Sequence, residues 1–595
     1  MTEEVIKWDL SEFYSSINDS KIETDIQQIE KEADEFKRKI KGKLNDPSLM
    51  PNQLVEWFKA YESIKEKLFY LELYSTLIYR INSLDDDIKS FYAKIDEFNT
   101  RIEREILFFN LELNTISDDK FNELVKAPEL TRYSHELKFN RLKKIHQLSE
   151  KEEQIILMKD ITGVSGFNKL YGELKSSFIF DFEVKGEMKK LTEAELFSFM
   201  YQADRDLRLK ALQKMMQEYE KYKMIFTHIF NNVIKNWDLE SKEKKYDKPI
   251  SARNIENEVS DKSVETLEEV TTESYPIVEK YYNLKKKILN LEELHMSDLY
   301  APIGQVLKEY TYEEALDLIK TADKKFYPEL GDIVDKMDEL GHIDVTPRKG
   351  KNRGAFCAHG KMNKYPFVFV NFTGNVDSVR ALAHELGHAF HAYYIQRTQN
   401  FINIDISLVI AEIASVFNEI LIFDYLMNTD LSKDEKISLL CGFIESKFGT
   451  SHRQNAFYRF EKRMHDLSEK KLPSTDDIRE IFVEEMELMF RKSMINIKEE
   501  YQNYVFVVSH FLQIPFYVYA YNMSNLLVIS IYQQYLEQRE AFVPKLLKIL
   551  SVGRSLTPEE MLSEIGIDLD DSSFWQKGIK YLSDKIDELE QLVES

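Results

Sequence analysis

The sequence predicts a mainly α-helical protein, and three observations carry that expectation. Glycine and proline are scarce, at 18 and 13 of 595 residues. Both fall below the usual roughly 7% and 5%, so the chain lacks the punctuation that many short strands need. Apolar residues recur at helical spacing near both ends. A single stretch gathers glycines around a short run of strand-forming residues. With 43% hydrophobic and 12% aromatic residues, the chain can build a large core, which excludes a disordered or fibrous protein.

Taken in order, the first element is a stripe of Ile22, Ile26, Ile29, Ala33, Phe36, Ile40 and Leu44, which fall on one helical face and stop at Asn45-Asp46-Pro47-Ser48. The Lys and Glu residues between them read as a solvated face. No fixed-period repeat or low-complexity linker follows, so the division expected here, residues 1–195 as an N-terminal helical domain and 196–595 as a second domain, has a soft boundary near 185–200. Between Gly341 and Gly374 lie Gly350, Gly354 and Gly360 as well, where helix cannot persist. Within that stretch Pro366-Phe367-Val368-Phe369-Val370-Asn371-Phe372 reads as a strand of a small sheet. Ile579, Leu582, Ile586, Leu589 and Val593 then mark a terminal amphipathic helix.

Charge and cysteine content limit the partners. The 80 Lys and Arg against 103 Asp and Glu leave a net charge of −23, a field that repels nucleic acid and anionic membrane alike. Two cysteines, Cys357 and Cys441, cannot form a disulfide framework and fit a reducing compartment. The start, Met1-Thr2-Glu3-Glu4-Val5-Ile6-Lys7-Trp8-Asp9, is acidic where a secretory signal is basic and then apolar. The expected location is cytoplasmic. Tyr501 to Leu536 carries no Asp, Glu, Lys or Arg. Gln502, Asn503, His510, Gln513, Asn522, Ser524 and Asn525 are spread through it at a density unfit for lipid, so it is expected to be buried backbone lining an interior cavity and not a membrane span.

The chemistry is concentrated in Ala383-His384-Glu385-Leu386-Gly387-His388. His384 and His388 stand one helical turn apart, so both imidazoles leave the same face and can hold one metal ion, with Glu385 beside them to meet a water. This is the HExxH zinc motif. Asp377 or Ser378 is the expected N-cap, and Val379, Leu382, Ala383, Leu386, Ala389 and Phe390 form the buried face. A catalytic zinc wants three protein ligands and one open position. Glu412, set in the apolar run Ile406 to Leu426 and 24 residues past His388, can return opposite the histidines after a turn near Asn400 to Asp405. A carboxylate there needs a partner such as a metal. Glu419 falls on the face of Glu412 and can accept the free ring N–H of a ligand histidine. His391 is read as an interior histidine, because a fourth ligand would close the open position. Cys357-Ala358-His359 is too tight for a zinc knuckle and reads as loop packing or part of the sheet.

His384-Glu385-Leu386-Gly387-His388-Ala389-Phe390-His391, the Ala411-Glu412-Ile413-Ala414-Ser415 box ending at Glu419, Arg353-Gly354-Ala355-Phe356-Cys357 and the opening Trp8-Asp9-Leu10-Ser11 together resemble oligoendopeptidase F, within the thimet-oligopeptidase-like zinc metallopeptidases. The resemblance spans Trp8 to the Phe574-Trp575 region. It implies a large helical shell closed around a deep substrate channel, one zinc ion per chain and cleavage of short peptides by 196–595, the catalytic domain. His384, His388 and Glu412 would be the metal ligands and Glu385 the general base. It further implies that a histidine followed by tyrosines faces the zinc, matched here by His510 and by Tyr517, Tyr519 and Tyr521. A helix beginning at Pro515 puts Tyr517 and Tyr521 on one face and Tyr519 on the other, so the first two are favoured as oxyanion donors. Leu512 departs from the family pattern, which often has tyrosine there.

The expected activity is therefore zinc-dependent hydrolysis of internal bonds in short unfolded oligopeptides, with Phe367 to Phe372 pairing with the extended substrate. Two other readings stand beside it: a zinc exopeptidase such as a carboxydipeptidase, and a non-catalytic helical peptide-binding protein. The sequence leaves oligomeric state open.

Overall fold

The computed structural model describes residues 5–304 and 308–595; Met1 to Glu4, part of the stretch read for a signal, lie outside the described residues. Among the described residues helix dominates, and strands are confined to two small sheets. The fold class is the expected one: mainly α, with a small sheet packed on the HExxH helix. The chain forms two compact units. One comprises Met1–Ile145, Leu307–Leu426 and Gln534–Ile567, the other His146–Val306, Met427–Gln533 and Asp568–Ser595. Each is assembled from three stretches, so the units interleave along the chain.

In the first unit the leading stripe forms the helix Ser20–Ile40, whose N-cap Asp19 accepts from Lys21 N at 2.9 Å. Its apolar face is buried as expected. The helix stops earlier than Asn45, because Gly42 takes a left-handed φ of 82° that only glycine adopts without strain. Leu44 remains in the core beyond the helix end. Trp8 docks this region onto the three-stranded sheet: its indole N–H reaches Val368 O at 2.8 Å and His342 O at 3.1 Å.

That sheet is built from Ile343–Asp344, Phe356–Ala358 and Phe367–Phe369. Phe367–Phe369 is its central strand, parallel to Ile343–Asp344 (Ile343 beside Val368) and antiparallel to Phe356–Ala358 (Cys357 beside Val368). Buried Asp344 anchors it, accepting both Arg348 Nη1 and Nη2 at 2.7 Å while Lys351 Nζ lies 2.7 Å from its Oδ1. On one margin Val345 N and Thr346 N both donate to Ile6 O at 3.2 Å, so the N-terminal segment covers that edge. The other margin, Phe356–Ala358, pairs with no further strand among the described residues.

The second unit contains a hairpin that the sequence reading did not anticipate, Phe180–Val184 with Glu187–Leu191. Its turn residues Lys185 and Gly186 have φ of 53° and 84°, the two left-handed positions a tight hairpin requires. The uncharged stretch forms a short 3₁₀ turn, Gln502–Phe506, a helical turn, His510–Gln513, and most of the helix Val518–Gln538. Several of its polar groups bond neighbours in the same unit. Asn503 Nδ2 donates to Met216 O at 3.1 Å, Asn257 Nδ2 to Tyr519 Oη at 2.8 Å, and Asn522 Nδ2 to Thr271 Oγ1 at 3.0 Å. Among the described residues no single helix is long and apolar enough to cross a membrane; one pair, bent by 86° between Gln513 and Val518, is so by length and composition together. The terminal helix Ser572–Glu594 buries Leu582, Ile586 and Leu589, and its Gly578 lets Leu526 O and Ser530 approach.

Candidate active site

The HExxH residues sit mid-way along the helix Val376–Thr398. Its N-cap is Asn375, not Asp377 or Ser378: Asn375 Oδ1 accepts from Ser378 N at 2.8 Å, so the helix starts one turn earlier than the apolar pattern requires. Val379, Leu382, Ala383, Leu386, Ala389 and Phe390 are all buried, as expected of that face.

The partner segment returns after the 3₁₀ turn Phe401–Asn403 as Leu408–Ala411 and Ile413–Met427, broken at Glu412. The break turns the Glu412 side chain out of the apolar run, so it is half-exposed. A Cβ on Gly387 would stand 2.5 Å from Ser415 Cα and 2.6 Å from Ala414 O. Only glycine, between the two histidines, lets the second backbone come this close. Asn418 Nδ2 then ties the two segments by donating to Ala383 O at 2.8 Å.

This approach brings His384, His388 and Glu412 together, with one potential ligand atom from each within 4.8 Å of the others. Glu412 Oε2 lies 3.4 Å from His384 Nε2 and 3.5 Å from His388 Nε2. Behind them Glu419 Oε1 is 2.6 Å from His384 Nδ1, which leaves Nε2 facing the carboxylate. Ser415 Oγ donates to Glu412 Oε2 at 2.6 Å and steadies it, a contact the sequence reading missed although Ser415 stands in the same box. Glu412 pairs with no Lys or Arg among the described residues. Two imidazoles and a carboxylate converging without a protein cation are a donor set that fits a metal ion.

Electrostatics agree with that use. Burial holds His388 down at about 4, so its ring is neutral and its lone pair available. Burial also works against charge on His384, but the Glu419 hydrogen bond and the nearby carboxylates outweigh it and raise that ring. Glu385 is buried, and burial with the neighbouring Glu412 and Glu419 charges lifts it to about 7. Its Oε2 accepts no hydrogen bond among the described residues. A carboxylate with a free oxygen and a pKa near neutrality is suited to accept and release a proton. His391 is fully buried and held down to about 3 by burial; it lies outside the ligand group. Burial and Glu385 push the Cys357 thiol well above its usual range.

His510, Tyr517 and Tyr521 come together in the second unit. Tyr521 Oη is 3.3 Å from His510 Nε2, the His510 and Tyr517 rings are parallel within 4° at 5.8 Å, and Tyr517 meets Tyr521 edge-on at 5.2 Å. Burial lowers His510, leaving a neutral ring. The expected helix start at Pro515 is wrong, because Phe516 takes a φ of 56° and the helix begins only at Val518. Tyr519 points elsewhere and bonds Asn257.

A family model described as peptidase family M3 matches residues 198–581, well over half of the chain. The chain belongs to peptidase family M3. A second model, described as oligopeptidase F, matches residues 112–180. Oligopeptidase PepF of Bacillus subtilis is 26% identical, over 93% of this chain and 83% of its own. Group B oligopeptidase PepB of Streptococcus agalactiae is 24% identical, over 99% and 98%. Among solved structures, one titled as a peptidase from Chlamydophila abortus superposes with a TM-score of 0.85 at 24% identity, over 98% of each chain. Oligoendopeptidase-F from Enterococcus faecium gives 0.71 at 20%, over 96% of this chain and 99% of its own. As an M3 protein of the oligoendopeptidase F kind, this chain is an enzyme, a metalloendopeptidase, and its fold is that of these structures.

Proposed function

We propose that this M3 peptidase hydrolyses internal bonds of short, unfolded oligopeptides with one zinc ion held by His384, His388 and Glu412. The observation that carries the reading is the convergence of those three donors beside Glu385, whose second oxygen is free. The names of the relatives, oligopeptidase and oligoendopeptidase, support the substrate class. All these residues fall in 196–595, to which we assign the catalytic domain. The acidic chain, at a net charge of −23, supports neither nucleic acid nor anionic membrane as a partner. Two free cysteines suit a cytoplasmic setting.

Bound at this donor set, zinc supplies the Lewis acidity that polarises a carbonyl and lowers the pKa of a water. The chain's own residues do the rest. Glu385 takes the proton of the attacking water on its free oxygen and returns it to the leaving amine. Glu419 holds His384 in the tautomer that presents Nε2. His510, with Tyr517 or Tyr521, donates hydrogen bonds to the oxyanion of the tetrahedral intermediate, a role assigned on the donor chemistry of the cluster. An extended substrate needs an open sheet edge. The expected strand, Phe367 to Phe372, has its core in the middle of its sheet, paired on both sides, and cannot offer one. We therefore assign peptide pairing to Phe356–Ala358.

Metal analysis after dialysis should find about one zinc per chain. Glu385→Gln should keep that zinc and lose about 10³-fold or more in kcat on an internally quenched peptide. A variant that keeps full activity, or wild-type protein that releases only terminal residues, overturns the reading.

A further inference from the structure

The donor cluster is mounted on irregular backbone. Between the turn His510–Gln513 and the helix Val518–Gln538 the chain reverses through Ile514, Pro515, Phe516 and Tyr517. Phe516 holds a left-handed φ of 56°, a conformation an aromatic residue keeps only when its surroundings impose it. The surroundings are one face of the helix His452–Lys470, in the same unit. Glu461 Oε1 accepts the Phe516 N–H at 3.0 Å. The His465 ring stacks on Phe516 at 4.5 Å, and His465 is itself hydrogen-bonded to Asp238. Tyr458 completes that face, edge-on to Phe516 at 6.5 Å. From another helix Arg253 Nε donates to Pro515 O at 3.2 Å.

Glu461 is the unusual member. It is fully buried, forms no ion pair with any described residue, and its Oε2 accepts nothing. The Phe516 N–H is the one hydrogen bond its carboxyl accepts among the described residues. Burying a carboxyl for a single backbone bond is unfavourable unless that bond matters.

We propose that Glu461 is a positioning residue for the His510–Tyr517–Tyr521 cluster: by holding the Phe516 N–H it fixes the left-handed turn across which His510 meets the two tyrosines. The inference rests on the reading of that cluster as the oxyanion donor. Without the bond, Phe516 relaxes out of the left-handed region, and Tyr517, the next residue, swings away from its parallel stack on His510.

The test is steady-state kinetics of the zinc-loaded full chain on an internally quenched peptide. Glu461→Leu should lower kcat by about 10- to 100-fold with KM within about threefold and zinc content unchanged, the signature of displaced transition-state donors. Glu461→Gln keeps a neutral acceptor oxygen and should return kcat to within about threefold of wild type. Combined with His510→Ala, Glu461→Leu should add little further loss, since both act through one group. If His510→Ala leaves kcat unchanged, the oxyanion reading itself fails. If His510→Ala is slow while Glu461→Leu matches wild type, or Glu461→Gln is as slow as Glu461→Leu, the positioning role fails. Should Glu461→Leu not fold, Arg253→Met frees Pro515 O with less disturbance and should cost about 3- to 10-fold in kcat alone; an unchanged kcat overturns the proposal.

Discussion

The candidate metal-ligand triad and the donor cluster solve the same problem in different ways. In the first unit, His384, His388 and Glu412 are presented by two helical segments, and their positions follow from helical spacing plus one close backbone approach at Gly387. In the second, His510, Tyr517 and Tyr521 are set by a turn that no periodicity describes, held by side chains from elsewhere in the unit. Regular backbone carries its own geometry. Irregular backbone borrows it, and so depends on partners far away in sequence.

Three experiments sharpen or break that contrast. The largest effect should come from Glu419→Gln, which replaces the carboxylate facing His384 Nδ1 and should weaken zinc binding by about 10- to 100-fold in competition with a chelator. Unchanged affinity would mean helical spacing alone orients the ligand. Next, Gly387→Ala forces a methyl to within 2.6 Å of Ala414 O and 2.5 Å of Ser415 Cα. It should cost about 1–3 kcal/mol in denaturant unfolding and lower zinc affinity with it.

The third concerns the second unit. Burial raises the Glu461 carboxyl from 4.5 to about 8. A folded-state pKa above the unfolded one means the native protein binds the extra proton between those values. Stability from this group is full below about 4.5 and falls as pH rises towards 8. Glu461→Gln should remove that slope, a difference on the order of 2 kcal/mol between pH 5 and 7. A slope that persists in the variant would place its origin in another group.

Much of the first site is legible in the sequence for a plain reason. Residues four apart on a helix share a face whatever surrounds them, so His384 and His388 declare themselves, while Glu412 shows itself as a carboxylate set in an apolar run. The buried faces of Ser20–Ile40 and Val376–Thr398 are legible because apolar side chains must leave water at helical intervals. Boundaries were less so. Gly42 ended one helix early and Asn375 began another early, since caps depend on single residues that patterning does not weigh.

What the chain alone determined is its class, its helices and the face on which its candidate metal ligands lie, all consequences of local period and composition. Tertiary structure decided which sheet edge stays open, how closely the Glu412 segment approaches Gly387, and why Glu461 is buried beneath Phe516. Those outcomes hang on contacts between residues tens of positions apart or more, or on which groups a third element leaves unpaired, and no local pattern encodes a distance that only packing creates.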